Sequence, residues 1–101
     1  MVPGELSREE KKRADNEARK KARADQARQA RVTELEAQIA TVEQDIRDLE
    51  QTMSVDGFYT DRVTAQPIID RHQSLMWQVG DLMHRWEELQ AEVDTASASN
   101  R

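Results

Sequence analysis

From Val32 onward, large apolar residues recur with a helical period. Val32, Leu35, Ile39, Val42, Ile46, Leu49 and Met53 follow one another at spacings of three and four, a heptad seam along one helix face. The same spacing returns in Ile68, His72, Leu75, Val79, Leu82, Trp86, Leu89 and Val93, with Ile69, Met76 and Met83 widening that stripe on one flank. Each seam needs a partner to cover it. Two amphipathic helices joined by about a dozen residues are most simply closed on each other. The pattern therefore predicts an all-α fold, an antiparallel two-helix coiled-coil hairpin with a long first helix.

The segment between the seams, MSVDGFYTDRVTAQPIID, holds the chain's only Phe and only Tyr beside an Asp-Gly pair. Gly57 reaches positive φ without steric cost and Asp56 can bond nearby backbone amides, so the pair reads as turn chemistry. Pro67 suits the first turn of the following helix, where its missing N–H has no acceptor to lose. Phe58 and Tyr59 are expected to fold back as a plug over the end of the seams. Setting Leu49 against Ile68 places Ile46 near His72, Val42 near Leu75, Ile39 near Val79, Leu35 near Leu82 and Val32 near Trp86. It leaves Leu89 and Val93 facing Arg28 and Asp25. On that register the hairpin closes at the bend and frays at its open end.

Upstream of Val32 the large apolar residues give out. Ser7 and Glu10 form the S-x-x-E pattern of a capping box, and nearly every residue from there to Val32 is Ala, Arg, Lys, Glu, Gln or Asp, with neither Gly nor Pro. The expected organisation is a basic linker or helical arm over residues 1–31, the hairpin over 32–94 with its bend at about 54–66, and a disordered tail over 95–101. The unpaired arm would run some 22 residues, about 33 Å, and a lone helix of that length is marginal in water.

Composition sharpens this picture. With 37% hydrophobic and 35% charged residues, the chain has too little apolar material for a thick globular core. It has no cysteine, which excludes disulfides, thiolate metal sites and cysteine nucleophiles. No apolar run approaches the roughly 18 residues of a membrane span, and the amino terminus lacks a signal peptide's apolar core. The expectation is a soluble, cytoplasmic protein with no membrane contact. The net charge of −5 hides an asymmetry: residues 8–31 carry ten Lys or Arg against five Asp or Glu, and residues 32–101 carry five against fourteen.

The two seams, the aromatic bend and the segment MHRWEELQAE together resemble the C-terminal domain of ABC-F ATPases, the Uup-like group of soluble tandem ATP-binding-cassette proteins. The match runs from about Thr33 to Glu92, with Phe58, Tyr59, Trp86, Glu87, Glu88 and Leu89 as its most specific points, and the run from Arg8 to Arg31 looks like the family's basic linker. The resemblance implies a fragment of a longer chain whose ATPase domains lie elsewhere, because no Walker A loop or other nucleotide-binding motif occurs in these residues. It also implies a partner: DNA in Uup-like members, or ribosomal RNA and ribosomal proteins more generally. Here the paired portion is acidic, which shifts that expectation to the basic arm.

The candidate nucleic-acid-binding residues are Lys11, Lys12, Arg13, Arg19, Lys20, Lys21, Arg23, Arg28 and Arg31. They would act by neutralising phosphates with release of counterions. The competing reading is a solvated helix in which these cations pair with Glu9, Glu10, Asp15, Glu17 and Asp25. His72, on the seam, reads as a polar residue that fixes register, since neither it nor His84 has the companions a metal site needs. Trp86 reads as a core or rim anchor near Val32 and Arg28, and Trp77 falls on the outer face. Glu87 and Glu88 point in different directions around a helix and cannot serve one substrate as an acid-base pair. No catalysis, cofactor or metal is expected. The function predicted is a non-catalytic module that binds nucleic acid through its arm; the alternative is a structural or protein-interaction hairpin with the arm as spacer. A monomer is expected, with a dimer formed through the seam as the other possibility.

Overall fold

The structure, a computed structural model, describes residues 3–98. Helix α1 runs from Pro3 to Met53 and helix α2 from Arg62 to Ala98, joined by a tight segment with one 3-10 turn at Phe58–Thr60. The helices lie antiparallel in a rod of 88 × 16 × 15 Å. This is the all-α hairpin with a long first helix that the two heptad patterns predict. α1 holds neither Gly nor Pro after its first two residues and is rich in Ala, Arg, Lys, Glu and Gln, all good helix formers.

Burial traces both seams without a break. On α1 the covered seam positions are Asp25, Arg28, Val32, Leu35, Ile39, Val42, Ile46, Leu49 and Met53, with Glu43 and Asp45 half-buried beside them; on α2 the run begins at Ala65, reaches Ile68 and His72, and continues at the same spacing to Val93 and Ala96. The centre of the core is Val42, Ile46, Leu75, Val79 and Leu82, flanked by Leu35, Ile39 and Leu49. Burying side chains of this size contributes roughly 1.5–3 kcal/mol each, offset by the entropy of ordering the chain.

The register differs from the pairing of Leu49 with Ile68. Leu35 shares a groove with Arg85 and Leu89, Ile39 with Met83 and Trp86, and Val42 with Gln78 and Leu82. The Glu50 Oε1 atom stands 3.9 Å from His72 Nε2. Each α1 residue therefore faces a residue about one helical turn further along α2 than that pairing supposes. The cause is Ala65, only 3% exposed. It starts the α2 seam one rung earlier than Ile68, and its side chain is too small to stand out in a pattern of large residues. The shift also closes the open end. Arg28 donates to Asp25 at 2.9 Å, and both line a groove with Ala91, Glu92, Thr95 and Ala96. The expected fraying at Leu89 and Val93 is absent, because Leu89 meets Leu35 instead of Arg28.

The bend is shorter than residues 54–66. Gly57 has φ 80° and ψ 3°, the left-handed conformation that turn chemistry predicts. The Ser54 amide closes α1 on the Glu50 and Gln51 carbonyls, the Phe58 amide donates to the Val55 carbonyl, and the Thr60 amide and hydroxyl both donate to the Gly57 carbonyl. Asp61 then caps α2. Its carboxylate accepts from the Val63 amide at 3.1 Å, the Thr64 amide at 3.5 Å and the Thr64 hydroxyl at 2.8 Å. The Thr64 hydroxyl is the largest cause of a pKa held below the ordinary aspartate value. Because Asp61 starts the helix, Pro67 is its sixth residue and not in the first turn. The carbonyl of Val63 thus loses its helical donor, at a position open to solvent.

Three further expectations change. Phe58 and Tyr59 pack edge to face, their ring centroids 4.8 Å apart, but only Phe58 is half-buried while Tyr59 is 63% exposed. Successive residues of a 3-10 turn point about 120° apart, so one ring faces the seam and the other cannot. Ser7 is not a helix cap, since α1 already begins at Pro3. Residues 95–98 of the expected disordered tail continue α2, and residues 99–101 lie outside the described residues.

Candidate nucleic-acid interface

All nine candidate cations lie on α1, in three distinct settings. Lys11, Lys12, Arg13 and Arg19 stand beyond the reach of α2, on a stretch where every side chain from residue 7 to residue 24 is exposed. Lys20, Lys21 and Arg28 line the groove against the last turns of α2, and Arg23 points outward from the same stretch. Arg31 lies in a groove with Glu34, Glu88 and Glu92. The carboxylates around Arg31 oppose an approaching phosphate, so it is the least suited of the nine.

Helical geometry sorts the exposed cations further. At about 100° per residue, Lys12, Arg19 and Arg23 fall on one face, and Arg8 joins them four residues before Lys12. These four cations extend over about 22 Å of helix. Arg8 is absent from the nine candidates; its spacings of four, seven and four along the stripe are the signal that includes it. Arg13 and Lys20 occupy a different face, while Lys11 and Lys21 continue the line of the seam past the end of α2. The nine residues are therefore not one patch: three of them join Arg8 in a four-cation stripe, and the other six lie on other faces.

One carboxylate of the arm, Asp15, shares the face of this stripe, three residues after Lys12 and four before Arg19. Among the described residues, Asp25 forms an ion pair, with Arg28, and no ion pair engages Glu9, Glu10, Asp15 or Glu17. Of the five carboxylates that the solvated-helix reading pairs with the arm's cations, Asp25 is the one seen paired among the described residues. Elsewhere Arg85 pairs with Asp81 and His84 approaches Glu88, each at 3.1 Å on exposed turns of α2, where such pairs are worth well under about 1 kcal/mol.

Among the described residues no group of three or more His, Asp or Glu side chains could hold a metal ion. His72 is half-buried on the seam, and its Nε2 and the Nε1 of Trp86 are buried without a hydrogen-bond partner. Trp86 packs with Ile39 and Met83 and not beside Arg28, a direct result of the register shift. Trp77 is 74% exposed on the outer face, as its helical position predicts. Among the described residues, no helix is long and apolar enough to cross a membrane.

A helical hairpin with a long basic extension on its first helix is a coiled-coil module. Residues 5–91 match the family model of the ABC transporter C-terminal domain, and the chain belongs to that family. Comparison with curated proteins and with solved structures finds no match to this chain.

Proposed function

We propose that this chain is the non-catalytic C-terminal module of an ABC-F, Uup-like ATPase, and that its basic arm contacts the phosphates of DNA or ribosomal RNA. The stripe of Arg8, Lys12, Arg19 and Arg23 carries this reading: four exposed cations on one face, free of ion pairs with the arm's own carboxylates. A straight row of point charges suits a backbone of regularly spaced phosphates and reads no base sequence. ATP hydrolysis belongs to the domains of the parent chain, and a cytoplasmic location follows from such a partner. Met76, Met83 and the acidic hairpin stay clear of the nucleic acid.

Electrophoretic mobility shift with duplex DNA and with a ribosomal RNA fragment, at graded salt, tests this. Four neutralised phosphates give a slope of log affinity against log salt of about −3.5. Reversing Arg8, Lys12, Arg19 and Arg23 to Glu abolishes the shift, whereas reversing Arg31 weakens it little. A shift that survives the four-residue reversal places the contact elsewhere. No shift at low salt with either nucleic acid returns the chain to the protein-interaction alternative, with the arm as spacer.

A further inference from the structure

The two edges of the hairpin are built differently. Along one, polar and charged residues answer each other across the helices: Arg31 shares a groove with Glu88 and Glu92, and Gln38 shares it with Arg85. Along the other, Glu36 lines a groove with Met83 and Trp86. One heptad along α1 and one back along α2, the same rung sets Glu43 opposite Met76, and a heptad further it sets Glu50 opposite Ile69. Glu43 is half-buried, and Glu50 reaches 3.9 Å from His72, one turn from Ile69.

Edge positions of a self-sufficient coiled coil pair acids with bases. Here three carboxylates face Ile, Met and Met, and among the described residues no ion pair engages Glu36 or Glu43. Met76 is 49% and Met83 43% exposed. A ridge of partly exposed apolar side chains beside three carboxylates, two of them without an ion pair, is one half of an interface for a basic helix. The chain carries such a helix. The arm's stripe of four cations covers about 22 Å, and Glu36 to Glu50 covers about 21 Å.

We propose that this edge docks the arm of a second copy of the chain. With two α1 helices antiparallel about a two-fold axis near Gln29, Arg8 lies against Glu50, Arg23 meets Glu36, and Lys12 and Arg19 flank Glu43 on either side of Asp15, the one acidic residue that faces it. The same contact forms twice and the assembly closes at two chains instead of growing into a filament. Because the cations are those offered to nucleic acid, docking and phosphate binding exclude each other, but neither depends on the other being true.

Sedimentation equilibrium of the 101-residue chain over a wide concentration range, at low and high salt, tests this. The expected mass rises with concentration from one chain to two at low salt and stays at one chain at high salt. Glu36→Lys/Glu43→Lys/Glu50→Lys weakens association at least tenfold while leaving the DNA shift intact, so the two proposals fail separately. Arg8→Glu/Lys12→Glu/Arg19→Glu/Arg23→Glu weakens association equally, and both sets in one chain restore it. Circular dichroism checks that each variant remains helical; Gln replaces Lys and Glu in any that does not. A single-chain mass throughout, a dimer indifferent to either reversal, or failure of the combined set to restore association overturns the proposal.

Discussion

At the scale of single residues, Gly57 and Gly80 should answer the same substitution in opposite directions. Gly57 sits at φ 80°, and an added Cβ would come within 3.3 Å of the Thr60 hydroxyl oxygen, whose hydrogen bond to the Gly57 carbonyl helps hold the bend. An L-residue in this conformation costs about 1–2 kcal/mol, partly offset by a stiffer unfolded chain. Gly57→Ala is expected to lower hairpin stability by about 1 kcal/mol. Gly80 lies inside α2, with nothing within 4 Å of the position its Cβ would take. There alanine gains helix propensity at no steric cost, and Gly80→Ala should raise stability by about 0.5–1 kcal/mol. Urea unfolding of both variants decides it: equal shifts, or shifts in the same direction, would contradict the conformations described.

At the scale of the helices, the heptads alone make the fold legible, because a 3-4 repeat of Val, Ile and Leu on two segments leaves each helix no other cover. The register was not legible. A slide of one turn moves each apolar residue from one seam partner to the next, so large residues meet large residues in either alignment. The deciding contacts come from Ala65 at the bend and from Asp25 and Arg28 at the far end, residues whose type gives no sign of burial. Of the candidate site, its place on the arm was legible from the charge asymmetry. The separation of Arg31 from the exposed stripe was not, since it depends on Glu88 and Glu92 arriving from α2. His72 is the seam residue with most to say about this register. Its buried Nε2 has no hydrogen-bond partner, and leaving such a group unmatched costs about 1–3 kcal/mol. His72→Leu removes that cost while keeping an apolar rung, so it should raise the urea midpoint at neutral pH, by the equivalent of about 1–2 kcal/mol. A fall would show that the imidazole has found a partner in solution and that it specifies the alignment at a net gain.

At the scale of the whole molecule, one rod holds two regions of very different stability. From residue 25 onward α1 is covered by α2, whereas residues 7–24 are exposed on every face. Helix stability on that exposed stretch rests on propensity alone, which for about 18 residues is marginal in water. The two ends of the chain should therefore respond unequally to truncation. Deleting residues 1–19 removes no seam position, so the urea midpoint of the hairpin should move by less than about 0.5 kcal/mol, while the proposed binding to DNA should disappear with Arg8, Lys12 and Arg19. Ending the chain at Gln90 removes fewer residues but takes Val93 and Ala96 from the covered seam. Losing that half-buried valine and its neighbour should cost about 1–2 kcal/mol, with the stripe of four cations left in place. The separation turns on the register: if Leu89 and Val93 faced Arg28 and Asp25 and frayed, the shorter truncation would be silent. A cut at Gln90 that leaves the midpoint unchanged would therefore restore the pairing of Leu49 with Ile68 and put the open end of the hairpin at Val32.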